Sequence, residues 1–105
     1  MTTIGKLKQI RKGHRMCADK LMAQVNGDKK LNYDKMKVML ASLDSREGKL
    51  KKCDSDILDA LTDEGQILEE IQDASDYGDL VISAKTKLEL EIRYHDKKSS
   101  GSDAN

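Results

Sequence analysis

His14 and Cys17 stand three residues apart, close enough to share one helical face, and with Cys53 they are the side chains best suited to metal or nucleophilic chemistry. Zinc asks for about four ligands in local groups. Cys17 and Cys53 are separated by 35 residues and lack that paired spacing. A Cys–His nucleophile further needs a third, orienting group inside a concave pocket, and the pattern supplies neither. The expectation is no catalysis, no metal and no cofactor: His14 packs on a helical seam, and both cysteines are buried, reduced thiols.

Carboxylates are the next candidates. Asp54 to Leu80 holds ten of them and no Lys or Arg. A calcium loop of the EF-hand type needs acids at alternate positions, a mid-loop glycine and a closing Glu. Asp54, Asp56 and Asp59 begin such a spacing, but Ile57 and Leu58 fall where polar residues belong. An acidic, solvated helix face fits better. The counterpart is a basic first segment, in which Arg11, Lys12 and Arg15 form a local patch able to contact phosphates. It has no interleaved aromatics for base stacking. Residues 1–52 sum to +9 and residues 53–105 to −9, so a net charge of zero hides a polarised chain. The patch is expected to pair with the acidic face and so set orientation and partner choice; binding nucleic acid through Arg11, Lys12 and Arg15 is the alternative.

The elements that position these residues are helical. The 105-residue chain makes one domain at most, is 37 % apolar, and has no Pro, Phe or Trp, which predicts a thin aliphatic core. Ile4, Leu7, Ile10, His14, Cys17, Leu21 and Val25 step by three and four, predicting a helix over about 3–25 capped by Thr2 or Thr3 and broken at Asn26-Gly27-Asp28. A second helix is predicted over 32–61, capped by Asn32, with its stripe through Tyr33, Met36, Leu40, Leu43, Leu50, Cys53, Ile57 and Leu61. Glu47 takes the one missing step, and Gly48 is absorbed inside. Thr62 to Gly65 reads as a turn in which Thr62 caps a third helix over 64–93, a kink in one longer helix being the alternative. The third stripe is Ile67, Ile71, Ala74, Gly78, Val81, Lys85, Leu88 and Ile92, with Ala74 and Gly78 small enough for another helix to approach. Residues 96–105 are polar and small, and are expected to be a disordered tail to a helical domain of 1–95.

The stretch Leu61-Thr62-Asp63-Glu64-Gly65-Gln66-Ile67-Leu68-Glu69-Glu70-Ile71-Gln72-Asp73-Ala74-Ser75-Asp76-Tyr77, continued by Val81, Ile82, Leu88 and Glu89, resembles the gag-proximal N-terminal helical region of BEL/Pao-type retrotransposon polyproteins. That region is a domain of unknown function common in invertebrate animals. Leu40 to Leu58 is compatible with its preceding helix, and the resemblance covers roughly residues 10–92. It implies gag-like self-association and offers no catalytic residues to carry over. No zinc knuckle, protease or polymerase motif accompanies it, so it implies an N-terminal fragment, a degraded copy or a host-retained remnant.

The expected fold is all-α: an elongated, antiparallel, coiled-coil-like bundle of three helices, or a long helical hairpin with a short first helix. The expected function is a non-enzymatic protein–protein interaction or self-assembly module, acting on itself or another helical protein. Its seam is Leu40, Leu43, Leu50, Ile57, Leu61, Ile67, Ile71, Val81, Leu88 and Ile92. No apolar run reaches the roughly 18 residues of a membrane span, and no apolar stretch follows the basic N-terminus as a secretory signal requires. A cytoplasmic location is expected.

Overall fold

The computed structural model describes the backbone of residues 3–27 and 30–103. Three helices follow one another: α1 (Thr3–Val25), α2 (Tyr33–Ala60) and α3 (Glu64–Asp103). Each end has a local cause. The Asn32 side chain accepts from the Lys35 backbone N–H at 2.7 Å and starts α2. Between α2 and α3 only Leu61, Thr62 and Asp63 leave the helical conformation, so the break is a tight turn. The cap of α3 is Asp63 rather than Thr62: its carboxylate accepts from the Gln66 N–H at 2.9 Å and its carbonyl from the Ile67 N–H at 2.9 Å. A charged acceptor at that position also faces the positive end of the helix dipole. Thr2 and Asp28 lie outside the described residues, and Thr3 is already the first residue of α1. Gly27 does not terminate α1 through a left-handed conformation, because no described glycine has positive φ. Its use is closeness: a Cβ there would meet the Ala23 carbonyl oxygen at 3.3 Å.

Contacts between helices give the topology. Arg11 reaches Asp54 and His14 reaches Arg46, so α1 and α2 run in opposite directions. Tyr33 meets Asp96 and Glu47 meets Lys85, so α2 and α3 do too. Arg11 meets Glu70 and Asn26 meets Lys87, which makes α1 and α3 parallel. The bundle measures 63 × 21 × 20 Å. Its length is set by α3, whose 40 residues at about 1.5 Å each reach roughly 60 Å. Here the expectation of a disordered tail from residue 96 is corrected, since the backbone stays helical through Asp103; residues 104–105 lie outside the described residues. No proline interrupts this stretch, and Asp96 accepts a hydrogen bond from the Tyr33 hydroxyl, tying the helix to α2 past its expected end.

The core is aliphatic and rich in Met, as the missing aromatics imply. Ala18 and Met22 of α1, Met36, Met39, Leu43 and Leu50 of α2, and Val81, Ala84 and Leu88 of α3 form one buried cluster. Cys53, Ile57 and Leu61 are buried beyond it, toward the α2–α3 turn. In α1 the stripe is rotated by one step at two places. Arg11 and Ala18 point inward, whereas Ile10 is 43 % exposed and Cys17 is exposed. The inward set 4, 7, 11, 14, 18, 21, 25 alternates steps of four and three without a fault. Helix geometry therefore prevailed over the residue types that made Ile10 and Cys17 look like seam positions. The expectation of two buried thiols is corrected accordingly: Cys53 is buried, Cys17 is on the surface, and both are free.

Candidate interaction surfaces around an ionic junction

Arg11 is the one buried charged residue among those described. It can occupy an inward position because three carboxylates converge on it. Its guanidinium lies 3.1 Å from Asp54 of α2, 2.6 Å from Glu70 of α3 and 3.9 Å from Asp73 of α3. All three helices therefore meet at one cation. Burial works against that charge, and the hydrogen bonds that Arg11 donates to Glu70 and Asp54 outweigh it, holding Arg11 above its ordinary pKa. The bond from Arg11 in turn holds the Glu70 carboxyl below its usual range, with Lys8 helping from 3.2 Å.

One turn along, Arg15 pairs with Asp73 at 2.8 Å and lies over the Tyr77 ring, 4.4 Å from its centroid. Arg15 Nε is buried without a partner, a small cost of that stacking. The Tyr77 hydroxyl lies 2.9 Å from the Arg15 carbonyl and 2.7 Å from an Asp19 carboxylate oxygen, between which its hydrogen is shared. Burial first, then the Asp19 bond, pushes this phenol well above its ordinary pKa. A second polar crossing joins α2 and α3, where Lys85 meets Asp44 at 2.6 Å and Glu47 at 3.0 Å. Glu47 and Lys85 are the two polar steps in otherwise apolar stripes, and they face each other.

The ten seam residues are mostly spent inside the chain. Leu43, Leu50, Ile57, Leu61, Val81 and Leu88 are buried; Leu40, Ile67 and Ile92 are half-buried; Ile71 is 49 % exposed. Of the three residues assigned to phosphate, Arg11 and Arg15 are engaged by carboxylates, and Lys12 remains exposed. His14 accepts from Arg46 at 2.9 Å through Nδ1. Among the described residues no three His, Cys, Asp or Glu side chains gather as metal ligands would. No helix there is long and apolar enough to cross a membrane.

No family model, curated protein sequence or solved structure matches this chain. Two helices cannot cover every side of α3, and aliphatic side chains are left outside: Leu68 is 61 % exposed, Leu80 58 % and Ile82 55 %, besides Ile71. Between α2 and α3 lies an open groove of about 430 Å³, lined by Leu50, Leu58, Ala74, Gly78, Val81 and Ile82. A Cβ built at Gly78 would meet nothing within 4 Å, so no helix of this chain uses the room that Ala74 and Gly78 leave. Residues such as Leu68, Leu80 and Ile82 are invisible to a single-stripe reading. Their signal is that α3 carries more aliphatic residues than one stripe can hold.

Proposed function

We propose that this chain is a non-enzymatic helical interaction or self-assembly module, acting in the cytoplasm, and that α3 carries its docking surface. The supporting observation is the set of exposed aliphatic residues on both flanks of α3, Leu68, Ile71 and Ile82 on one and Leu80 on the other. Large aliphatic side chains exposed along one helix, Leu68, Ile71 and Ile82 sharing a stripe, are the kind of surface that an interaction site uses. The gag-like self-association implied by the resemblance to BEL/Pao polyproteins is the same kind of activity, and is part of this proposal. Replacing Leu68, Ile71, Leu80 and Ile82 together by Ser tests it. Sedimentation equilibrium should show the parent heavier than one 11.8 kDa chain and the variant shifted toward the monomer with its helicity unchanged. A parent and a variant of equal mass at every concentration would remove the exposed aliphatic residues of α3 from the role.

Phosphate binding through the first helix has less support, because carboxylates already neutralise Arg11 and Arg15. Titration of a labelled single-stranded RNA at low salt is expected to give no binding that Lys12→Ala alters.

A further inference from the structure

In-chain pairing leaves a charge remainder on two neighbouring helices. Lys8, Arg11 and Arg15 are used by Glu70, Asp73 and Asp54. Lys12 and Lys20 of α1 and Glu69 of α3 are exposed with no ionic partner, and Asp76 accepts only from the neutral Gln72 amide. These four residues belong to one face. A shallow trough follows the α1–α3 seam, with Lys12 and Met16 on it at one end, Asp19 midway, and Ala23 and Leu80 at the other. Glu69 and Asp76 share the α3 stripe 69–73–76–80, whose Asp73 and Leu80 already flank this seam. Lys20 is one turn beyond Met16. The face thus carries Lys12 and Lys20 on α1, with Asp19 between them held by the Tyr77 hydroxyl, beside Glu69 and Asp76 on α3, and Met16 (54 % exposed) and Leu80 are its exposed apolar side chains.

We infer that this α1–α3 face pairs with the same face of a second copy, turned by a two-fold axis so that each α1 lies on the partner's α3. The inference rests on the interaction-module reading and names its partner. The register supports it. Arg15 stands level with Asp73 to Tyr77 in the parallel α1–α3 pair. About one residue toward the N-terminus from that level, Lys12 and Asp76 each lie about two residues away in opposite directions, and Lys20 and Glu69 about five to six. A two-fold axis there brings Lys12 to Asp76 and Lys20 to Glu69 of the second copy, and each pair occurs twice. A surface complementary to itself under a two-fold closes as a dimer instead of growing into filaments.

Charge exchange tests the pairing. One variant, Lys12→Glu with Lys20→Glu, turns the free bases of the face into acids; the other, Glu69→Lys with Asp76→Lys, turns its free α3 acids into bases. None of the four positions holds an in-chain ion pair, and circular dichroism of each variant should match the parent. In sedimentation equilibrium at low salt the parent should approach twice the single-chain mass, and 0.5 M NaCl should weaken it. Each variant alone should associate about tenfold or more weakly than the parent. An equimolar mixture of the two should regain dimer, as should one chain carrying all four changes. If the parent dimerises and both variants match it, or the mixture fails to recover, this face is refuted while self-assembly through another part of α3 stands. A parent that is monomeric at about 1 mM refutes both the face and self-association.

Discussion

Arg11→Ala is the most informative single perturbation of the fold. It deletes the cation shared by three helices and leaves Glu70 with Lys8 alone and Asp54 with no cation. Removing one partner of a fully buried pair costs about 3–5 kcal/mol. Here the side chains of Glu70, Asp54 and Asp73 keep 13 %, 21 % and 50 % of their exposure, so the stranded charges regain part of their hydration. An expected loss of about 2–3 kcal/mol follows, including the packing of the Arg11 stem, or roughly 10–20 °C in Tm for a domain of this size. The assay is urea denaturation followed at 222 nm. Guanidinium chloride is unsuitable because, as a salt, it would screen the interaction being measured. The double variant Arg11→Leu with Glu70→Leu removes both charges and fills the seam with apolar volume, and should return within about 1 kcal/mol of the parent. A loss below about 0.5 kcal/mol for Arg11→Ala would place the junction among ordinary surface pairs and refute this account.

Acid should weaken the same junction. Arg11 and Arg15 hold the Glu70 and Asp73 carboxyls below their usual values of 4.5 and 3.8. The stability they contribute is present above those values and lost as pH falls through the lower folded ones. Tm should therefore be level from pH 8 to 6 and decline below about 4.5. At the alkaline end the Tyr77 phenol is raised by burial and by Asp19, so its stabilising contribution is full below pH 10 and declines above it. Absorbance at 295 nm should show one tyrosine ionising only as the helices melt. Gly48→Ala should stabilise by about 0.5–1 kcal/mol, because α2 is helical there and an added Cβ meets nothing within 4 Å; a destabilised variant would mean that the position is not an open helical site. A thiol reagent should modify Cys17 in the native protein and Cys53 only on unfolding, since Cys53 is buried and burial raises its thiol pKa, the charges of Asp54 and Asp56 adding to this. Equal rates at the two cysteines would contradict the placement of α1.

Much of the architecture was legible in the residues because helix period, caps and turns are local. Thr3–Val25 matches the expected span, and Asn32 caps α2 as its side chain suggests. The turn at 61–63 also falls where the stripe pauses, although Asp63 and not Thr62 closes it. What could not be read depends on neighbours. Nothing in the α1 sequence says that Arg11 turns inward, because its partners lie 43 and 59 residues away. The extra length of α3 was hidden by a run of Lys and Ser that looks like a tail, while Asp96 is held by Tyr33 from another helix. The pairing of a basic first half with an acidic second half was visible as a sum. Which carboxylate takes which cation was not.

The polar steps explain why one arrangement prevails among several that would bury similar aliphatic surface. An antiparallel pair of leucine-spaced helices can slide by a heptad at little cost in apolar contact, since every layer looks much like the next. Glu47 in the α2 stripe and Lys85 in the α3 stripe end that freedom, because only one register brings them together at 3.0 Å. A slip by one heptad would leave each half-buried charge facing aliphatic side chains, which costs more than the contacts it exchanges. Arg11 plays the same part for α1, whose buried residues are otherwise only Ala18 and Met22. Leu21 and Val25 add partly buried aliphatic contact with the core but no feature that fixes a register. Charge therefore supplies the register of the first helix, and the same ionic logic, left unfinished at Lys12, Lys20, Glu69 and Asp76, extends to the surface where a second copy would complete it.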